Sequence, residues 1–170
     1  MSGVAVKVLA ADVLARLQGM EERGYNLSGV FRNFGEYMKG SIEQNFAAGG
    51  RPERWQPLKM ATMVAWHTGK KSYWNKSGGA MTAKGKAAWQ GRLPLTDTAR
   101  LRRSINYIAA ARGINIGTNL IYAGIHQFGG QAGRGHKTTI PARPYLLFQD
   151  ADIDYFERLL LEFIITRRML

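Results

Sequence analysis

The chain has 170 residues, no cysteine, 24 Lys or Arg against 12 Asp or Glu, and a net charge of +12. That length can bury a core without covalent staples, and the lack of cysteine excludes disulfides, thiolate zinc sites, iron–sulfur clusters and cysteine nucleophiles. No run approaches about 18 apolar residues and the first residues lack the leader of a signal peptide, so a soluble intracellular protein with one domain over residues 1–170 is expected.

In chain order, Val4, Val6 and Val8 alternate with small or polar residues and predict a short first strand. From about Ala11 the spacing changes, and Val13, Leu14, Leu17 and Met20 recur as one helical face. Gly24 and Asn26 break that helix. Ser28 precedes a second, longer one, with Phe31, Phe34, Met38, Ile42 and Phe46 along one side and Glu36, Lys39 and Glu43 along the other. Gly49-Gly50 ends it, and Arg51-Pro-Glu-Arg-Trp-Gln-Pro-Leu58 reads as an aromatic-bearing turn.

Charge is unevenly placed from here on. Residues 1–50 are neutral, residues 51–143 carry 16 basic and two acidic side chains, and residues 144–170 sum to −2. A basic excess concentrated in this way attracts polyanions, either nucleic acid or an acidic protein surface. Residues 66–95 hold six Lys or Arg, five Gly, three Trp, one Tyr and no acid, without sustained periodicity. Such a composition predicts a long flexible basic loop. Within it, Trp66, Tyr73, Trp74 and Trp89 interleave with Lys70, Lys71, Lys76, Lys84 and Lys86. The pattern suits base stacking with phosphate neutralisation; it equally suits a protein interface anchored by aromatics, or a plain solvated loop.

Order is expected to return at Leu95, where Thr96 or Asp97 can cap a short helix. Residues Ser104–Ala110 and Gly113–Thr118 read as a hairpin. Tyr122–Phe128 reads as a helical turn stopped at Gly129-Gly130 by a left-handed residue, and Gln131–Thr139 as a polar loop. Ile140–Phe148 contains Pro141 and Pro144, so as a strand it belongs at a sheet edge. Asp150–Arg168 is an amphipathic helix with Ile153, Phe156, Leu159, Leu160, Phe163 and Ile164 inward. The whole predicts an α+β fold: a small, mostly antiparallel sheet packed against two or three long helices.

Catalytic signatures are sparse. The histidines are His67, His126 and His136, without a His-Glu-x-x-His pattern, and Asp97 is the one carboxylate between Arg54 and Gln149. A two-metal nuclease needs more acids than that. Lys70 and Lys86 each follow a glycine but lack the rest of a phosphate-binding loop, and no Gly-x-Ser-x-Gly elbow exists. The sequence therefore predicts no catalytic residues, no metal and no cofactor. His126 reads as a packed histidine with its ring bonded to backbone, in preference to a general base.

Four local patterns together are informative. They are Phe46-Ala-Ala-Gly-Gly-Arg-Pro-Glu-Arg-Trp-Gln-Pro-Leu58 after the long helix, Leu95-Thr-Asp-Thr-Ala-Arg-Leu-Arg-Arg-Ser-Ile105, Tyr122-Ala-Gly-Ile-His-Gln-Phe-Gly-Gly130, and Ile140-Pro-Ala-Arg-Pro-Tyr-Leu146. This set resembles the phage virion morphogenesis family, the tail-completion proteins of Mu-like and related contractile-tailed phages and prophages. The last two patterns, in that order, are the specific part: His126, Gln127, Phe128, Gly129 and Gly130, then Ile140, Pro141, Arg143 and Pro144. Ala99 departs from the family, which usually has glycine there, so its backbone is expected to be one that alanine tolerates.

The resemblance implies a non-enzymatic structural protein of the virion tail or neck, assembled in the host cytoplasm. Such a protein completes the tail and takes part in head–tail joining as a ring homo-oligomer, sixfold to match the tail tube. Its implied partners are itself, the tail tube and neck or connector proteins, with weak DNA contact and no membrane. The two motifs are expected to position one another, with Arg143 seeking a carboxylate. The alternative is a nucleic-acid-binding module that uses residues 66–103; a third reading is an adaptor for an acidic partner.

Overall fold

A computed structural model describes residues 4–5, 26–59, 62, 73–75, 80–90 and 92–168. Among these, strand β1 is Val4–Ala5, and helix α1 is Ser28–Ala48. The helix expected from Ala11 lies outside the described residues. Helix α2 is Ala83–Gln90 and α3 is Arg100–Arg103. Strands β2 (Asn106–Ala110) and β3 (Gly113–Thr118) follow, then α4 (Ala123–Phe128), β4 (Gly130–Ala132), β5 (Thr138–Ile140) and α5 (Asp150–Arg168). The fold is α+β. One antiparallel sheet has the order β1-β3-β2 and a second consists of β4 and β5.

Helix α1 organises the core because its apolar residues recur every three or four positions. Val30, Phe31, Phe34, Met38, Ile42 and Phe46 are all buried. One side of α1 meets α5, where the Phe34 and Phe156 rings lie 4.6 Å apart and Tyr37 stacks on Tyr155 at 3.9 Å. Another side lies on β2 and β3, and there Gly35 admits the Tyr107 ring. Ser28, expected to precede the helix, is its first residue; the Asn26 side chain accepts the Ser28 N–H at 3.0 Å. At the other end Gly49 is left-handed (φ 71°, ψ 33°), and Gly50 N–H reaches Asn45 O at 2.8 Å, a Schellman closure.

Three expectations are corrected. The loop expected over 66–95 contains α2, whose Gly85 N–H is accepted by Thr82 Oγ1 at 3.1 Å, and a bridge between Trp74 and Met81 precedes it. Thr82 is a helix cap followed by Ala and Lys, both good helix formers. The polar loop expected over Gln131–Thr139 is instead the β4–β5 hairpin, with Gly130 opposite Ile140. Neither Thr96 nor Asp97 caps α3: the Arg100 N–H goes to Thr98 Oγ1 at 3.3 Å, while Asp97 pairs with Arg92 at 2.8 Å. Ala99, just before α3, is left-handed (φ 54°, ψ 12°), a conformation that costs an L-residue about 1–2 kcal/mol and glycine almost nothing.

Two glycines of α1 give opposite predictions. A Cβ on Gly35 would stand 2.5 Å from the Tyr107 ring, whereas one on exposed Gly40 would have nothing within 4 Å. Gly35→Ala is expected to destabilise by about 1–3 kcal/mol through overpacking. Gly40→Ala is expected to stabilise by about 0.5–1 kcal/mol, as alanine normally does inside a helix. Urea unfolding of both variants checks the signs, and equal shifts would refute the tight approach of β2 to α1.

Candidate functional site

Residues 141–147 run through the molecule without joining a sheet, yet Tyr145 and Leu146 are buried. Buried backbone polar groups need partners, and side chains supply most of them here. Gln127 Oε1 accepts the N–H of Tyr145 and of Leu146, both at 3.0 Å, and Gln127 Nε2 donates to Leu146 O at 2.9 Å. Asn45 Nδ2, on the buried face of α1, donates to Tyr145 O at 3.0 Å. Trp55 Nε1 donates to Pro144 O at 3.0 Å, and Arg143 N–H reaches His126 O at 2.7 Å. Pro141 and Pro144 have no N–H to satisfy. One glutamine thus does for this segment what a neighbouring strand would do.

Side chains complete the clamp. Tyr145 is fully buried against Phe46, and its hydroxyl donates to Ala123 O at 3.2 Å; burial pushes its pKa up to about 12. Trp55 meets Phe46 edge-on at 5.7 Å. Gly129 (φ 75°, ψ 177°) and Gly130 (φ 153°) stop α4 at positive φ, although Gly129 is not in the left-handed helical region expected. A Cβ on Gly129 would lie 2.9 Å from Ala142 N, so the first motif presses its glycine against the backbone of the second. The structure therefore brings His126, Gln127, Gly129 and Gly130 together with Ile140, Pro141, Arg143 and Pro144, while Phe128 points its ring to solvent and is 67% exposed.

Arg143 is only 5% exposed. No carboxylate of the described residues meets it: Nε donates to Gln56 O at 3.1 Å and Nη2 to Pro57 O at 3.3 Å. The expected carboxylate is replaced by the carbonyls of the proline-bearing turn after α1. His126 also differs from expectation, because its buried Nδ1 has no hydrogen-bond partner among the described residues. Tyr122 packs edge-on to the His126 ring at 6.0 Å. Arg143, His126 and Tyr122 border a cavity of about 350 Å³.

The basic, aromatic residues are placed less completely. Trp66, Lys70, Lys71 and Lys76 lie outside the described residues. Tyr73 and Trp74 are half-buried beside the bridge to Met81; Lys84 and Lys86 are exposed on α2, which also carries half-buried Trp89. Among the described residues no group of three or more His, Asp or Glu side chains is placed to hold a metal ion, and no helix is long and apolar enough to cross a membrane. Sequence reasoning missed Asn45 and Trp55 as partners of the second motif. The available signal was Asn45 itself, a polar residue three after Ile42 and seven after Met38 in an apolar stripe.

Two outcomes test this arrangement. Gln127→Ala orphans two buried N–H groups and one carbonyl, and is expected to lower stability by about 3 kcal/mol or more; a loss near that of a surface substitution would refute the clamp. Burial, and then the Arg143 guanidinium, hold the His126 pKa below its ordinary value of 6.5. As pH falls through that value, the unfolded chain takes up the proton first. The stability associated with neutral His126 is complete above 6.5 and is lost below it. The drop in urea midpoint from about pH 7.5 to about pH 5.5 is expected to be smaller in His126→Gln, and an equal drop would contradict this.

Comparison with known proteins bears on what the clamp belongs to. The model of the phage virion morphogenesis family matches residues 9–164. The chain is 33% identical over 159 residues, covering 89% of this chain and 94% of the relative, to the Mu-like prophage FluMu G protein 2 of Haemophilus influenzae. No solved structure matches. The chain belongs to the phage virion morphogenesis family, and its role is a structural or assembly role in the phage virion.

Proposed function

We propose that this protein is a non-enzymatic subunit that completes the phage tail and takes part in head–tail joining as a ring, sixfold to match the tail tube. The observation that supports it is the use made of the two motifs. Gln127 and Arg143 bond to the chain's own backbone and Gly129 packs against that of Ala142, which fixes the fold around the motifs as a subunit that presents fixed surfaces to neighbours requires. Its partners are further copies of itself, the tail tube and the neck or connector proteins, and its place is the tail or neck of the virion.

The basic region supports one further reading, a nucleic-acid-binding module using residues 66–103. Lys84, Lys86, Arg100 and Arg103 are exposed, in a stretch of strong positive charge. Such binding falls steeply with salt as phosphate contacts release counterions. Weak DNA contact also agrees with the first reading, because DNA passes through a phage neck.

Light scattering at low and high salt, with negative-stain images, separates the two. A ring near six subunits, formed alone or when tail tubes are added, is the expected result. A chain that stays monomeric even with tail tubes, yet binds DNA in a salt-dependent way, would overturn the tail-completion reading in favour of the second.

A further inference from the structure

The cavity beside the motif pair holds cations that the chain does not neutralise. Lys59, Arg100 and Arg143 border it, and its one carboxylate, Asp97, is already paired with Arg92 at 2.8 Å. Arg143 is nearly fully buried, yet both of its acceptors are neutral carbonyls, those of Gln56 and Pro57. A guanidinium has five N–H donors, and those on Nη1 meet no acceptor among the described residues. Lys59 Nζ reaches only Thr139 O, at 3.5 Å, and Arg100 is exposed with no ion-pair partner among the described residues. In the same wall the buried Nδ1 of His126 also lacks a partner among the described residues. A charge taken out of water without a counter-ion is costly, so an anion that enters supplies an interaction the fold leaves unmade.

The rest of the wall indicates what the anion is attached to. The cavity measures about 350 Å³, whereas one water occupies about 30 Å³, so a lone ion would leave most of it unfilled. Leu58, Leu95, Leu101, Ile140 and Pro141 make much of the lining apolar, and such a wall gains from contact with hydrocarbon. A nucleic-acid phosphate carries its charge on a polar sugar backbone and would leave that wall unmatched. We propose that this cavity binds a carboxylate carried on an aliphatic body. Arg143 inside it and Arg100 and Lys59 at its mouth hold the charge, and the leucine and isoleucine side chains hold the hydrocarbon. An acidic side chain flanked by aliphatic residues in another protein shares this chemistry with a small free aliphatic acid. The site goes beyond the ring reading and does not depend on it.

Amide-resolved NMR of the isotope-labelled whole chain, titrated with sodium hexanoate at constant ionic strength, tests the site. Saturable shifts at Thr138, Ile140 and Arg143, which border the cavity, are the expected result. Hexanamide, which lacks the charge, and sulfate, which lacks the hydrocarbon, are each expected to bind at least about tenfold more weakly. Lys59 and Arg100 are exposed, so Lys59→Ala and Arg100→Ala are expected to melt like the wild type by circular dichroism, and each to weaken hexanoate binding about threefold or more. A second arm uses the peptide acetyl-Leu-Glu-Leu-amide and its glutamine counterpart. Tighter binding of the glutamate peptide than of hexanoate would identify a protein segment as the source of the carboxylate, and the reverse order a free acid; either supports the site. No saturable shift, shifts away from the cavity, hexanamide or sulfate equal to hexanoate, or binding unchanged in both variants would overturn it. A short DNA duplex that shifts the same residues more strongly than hexanoate would overturn the carboxylate in favour of phosphate.

Discussion

A buried chain segment that joins no sheet must have its backbone hydrogen bonds met some other way, and most of the structure around residues 141–147 answers that requirement. Leaving one buried N–H or C=O unmet costs about 1–3 kcal/mol, so several together would be enough to undo a domain of ordinary stability. Gln127 meets three such groups at once, Asn45 and Trp55 meet one each, and the two prolines remove two donors from the account. Each satisfying group comes from a different element. Gln127 is on α4, Asn45 on α1, and Trp55 in the turn after α1. The segment therefore cannot settle until those three elements are in place, and once settled it locks them to one another.

The turn after α1 is itself held by a polar cluster. Arg51 donates to Ser41 O at 2.6 Å, to Asn45 Oδ1 at 2.8 Å and to Gln44 Oε1 at 2.7 Å. Ser41 Oγ in turn donates to Asp152 Oδ2 at 3.0 Å, and the same oxygen accepts Gln149 N–H at 2.8 Å to close the first turn of α5. Asn45 thus uses its oxygen on Arg51 and its amide on Tyr145 O, so the end of the second motif and the end of α1 are coupled through one side chain. That coupling explains why the pattern from Phe46 to Leu58 accompanies the two C-terminal motifs: it supplies Trp55 Nε1 and the carbonyls of Gln56 and Pro57 that the motifs require.

Elements with a long period were legible from sequence. Helices α1 and α5 show apolar residues at helical spacing over five turns, and the β2–β3 hairpin shows alternation around Arg112-Gly113. The β4–β5 hairpin was not, because three-residue strands are too short for alternation to stand out from a Gly-rich loop. Helix α2 is hidden by its surroundings, because the local signal of Thr82 followed by Ala and Lys sits in a thirty-residue stretch rich in Gly and basic residues. At the site, the two motifs announced themselves, but their partners did not. Arg143 was matched to a carboxylate on the chemistry of its charge, and nothing in a linear sequence shows that two carbonyls 86 and 87 positions away will be left facing it.

Ala99 shows the same limit from another side. Its left-handed backbone is set by the chain's approach to α3, where Arg103 N–H returns to Ala99 O at 2.9 Å, and that geometry is invisible until the turn is built. The consequence reaches the cavity, because Thr98 and Arg100, on either side of Ala99, both border it. The backbone twist that glycine would adopt freely is what carries the chain from Asp97, held by Arg92, to Arg100 at the cavity rim. The rim on this side is thus set by a backbone twist at Ala99, while the opposite wall comes from His126, Pro141 and Arg143 of the two motifs.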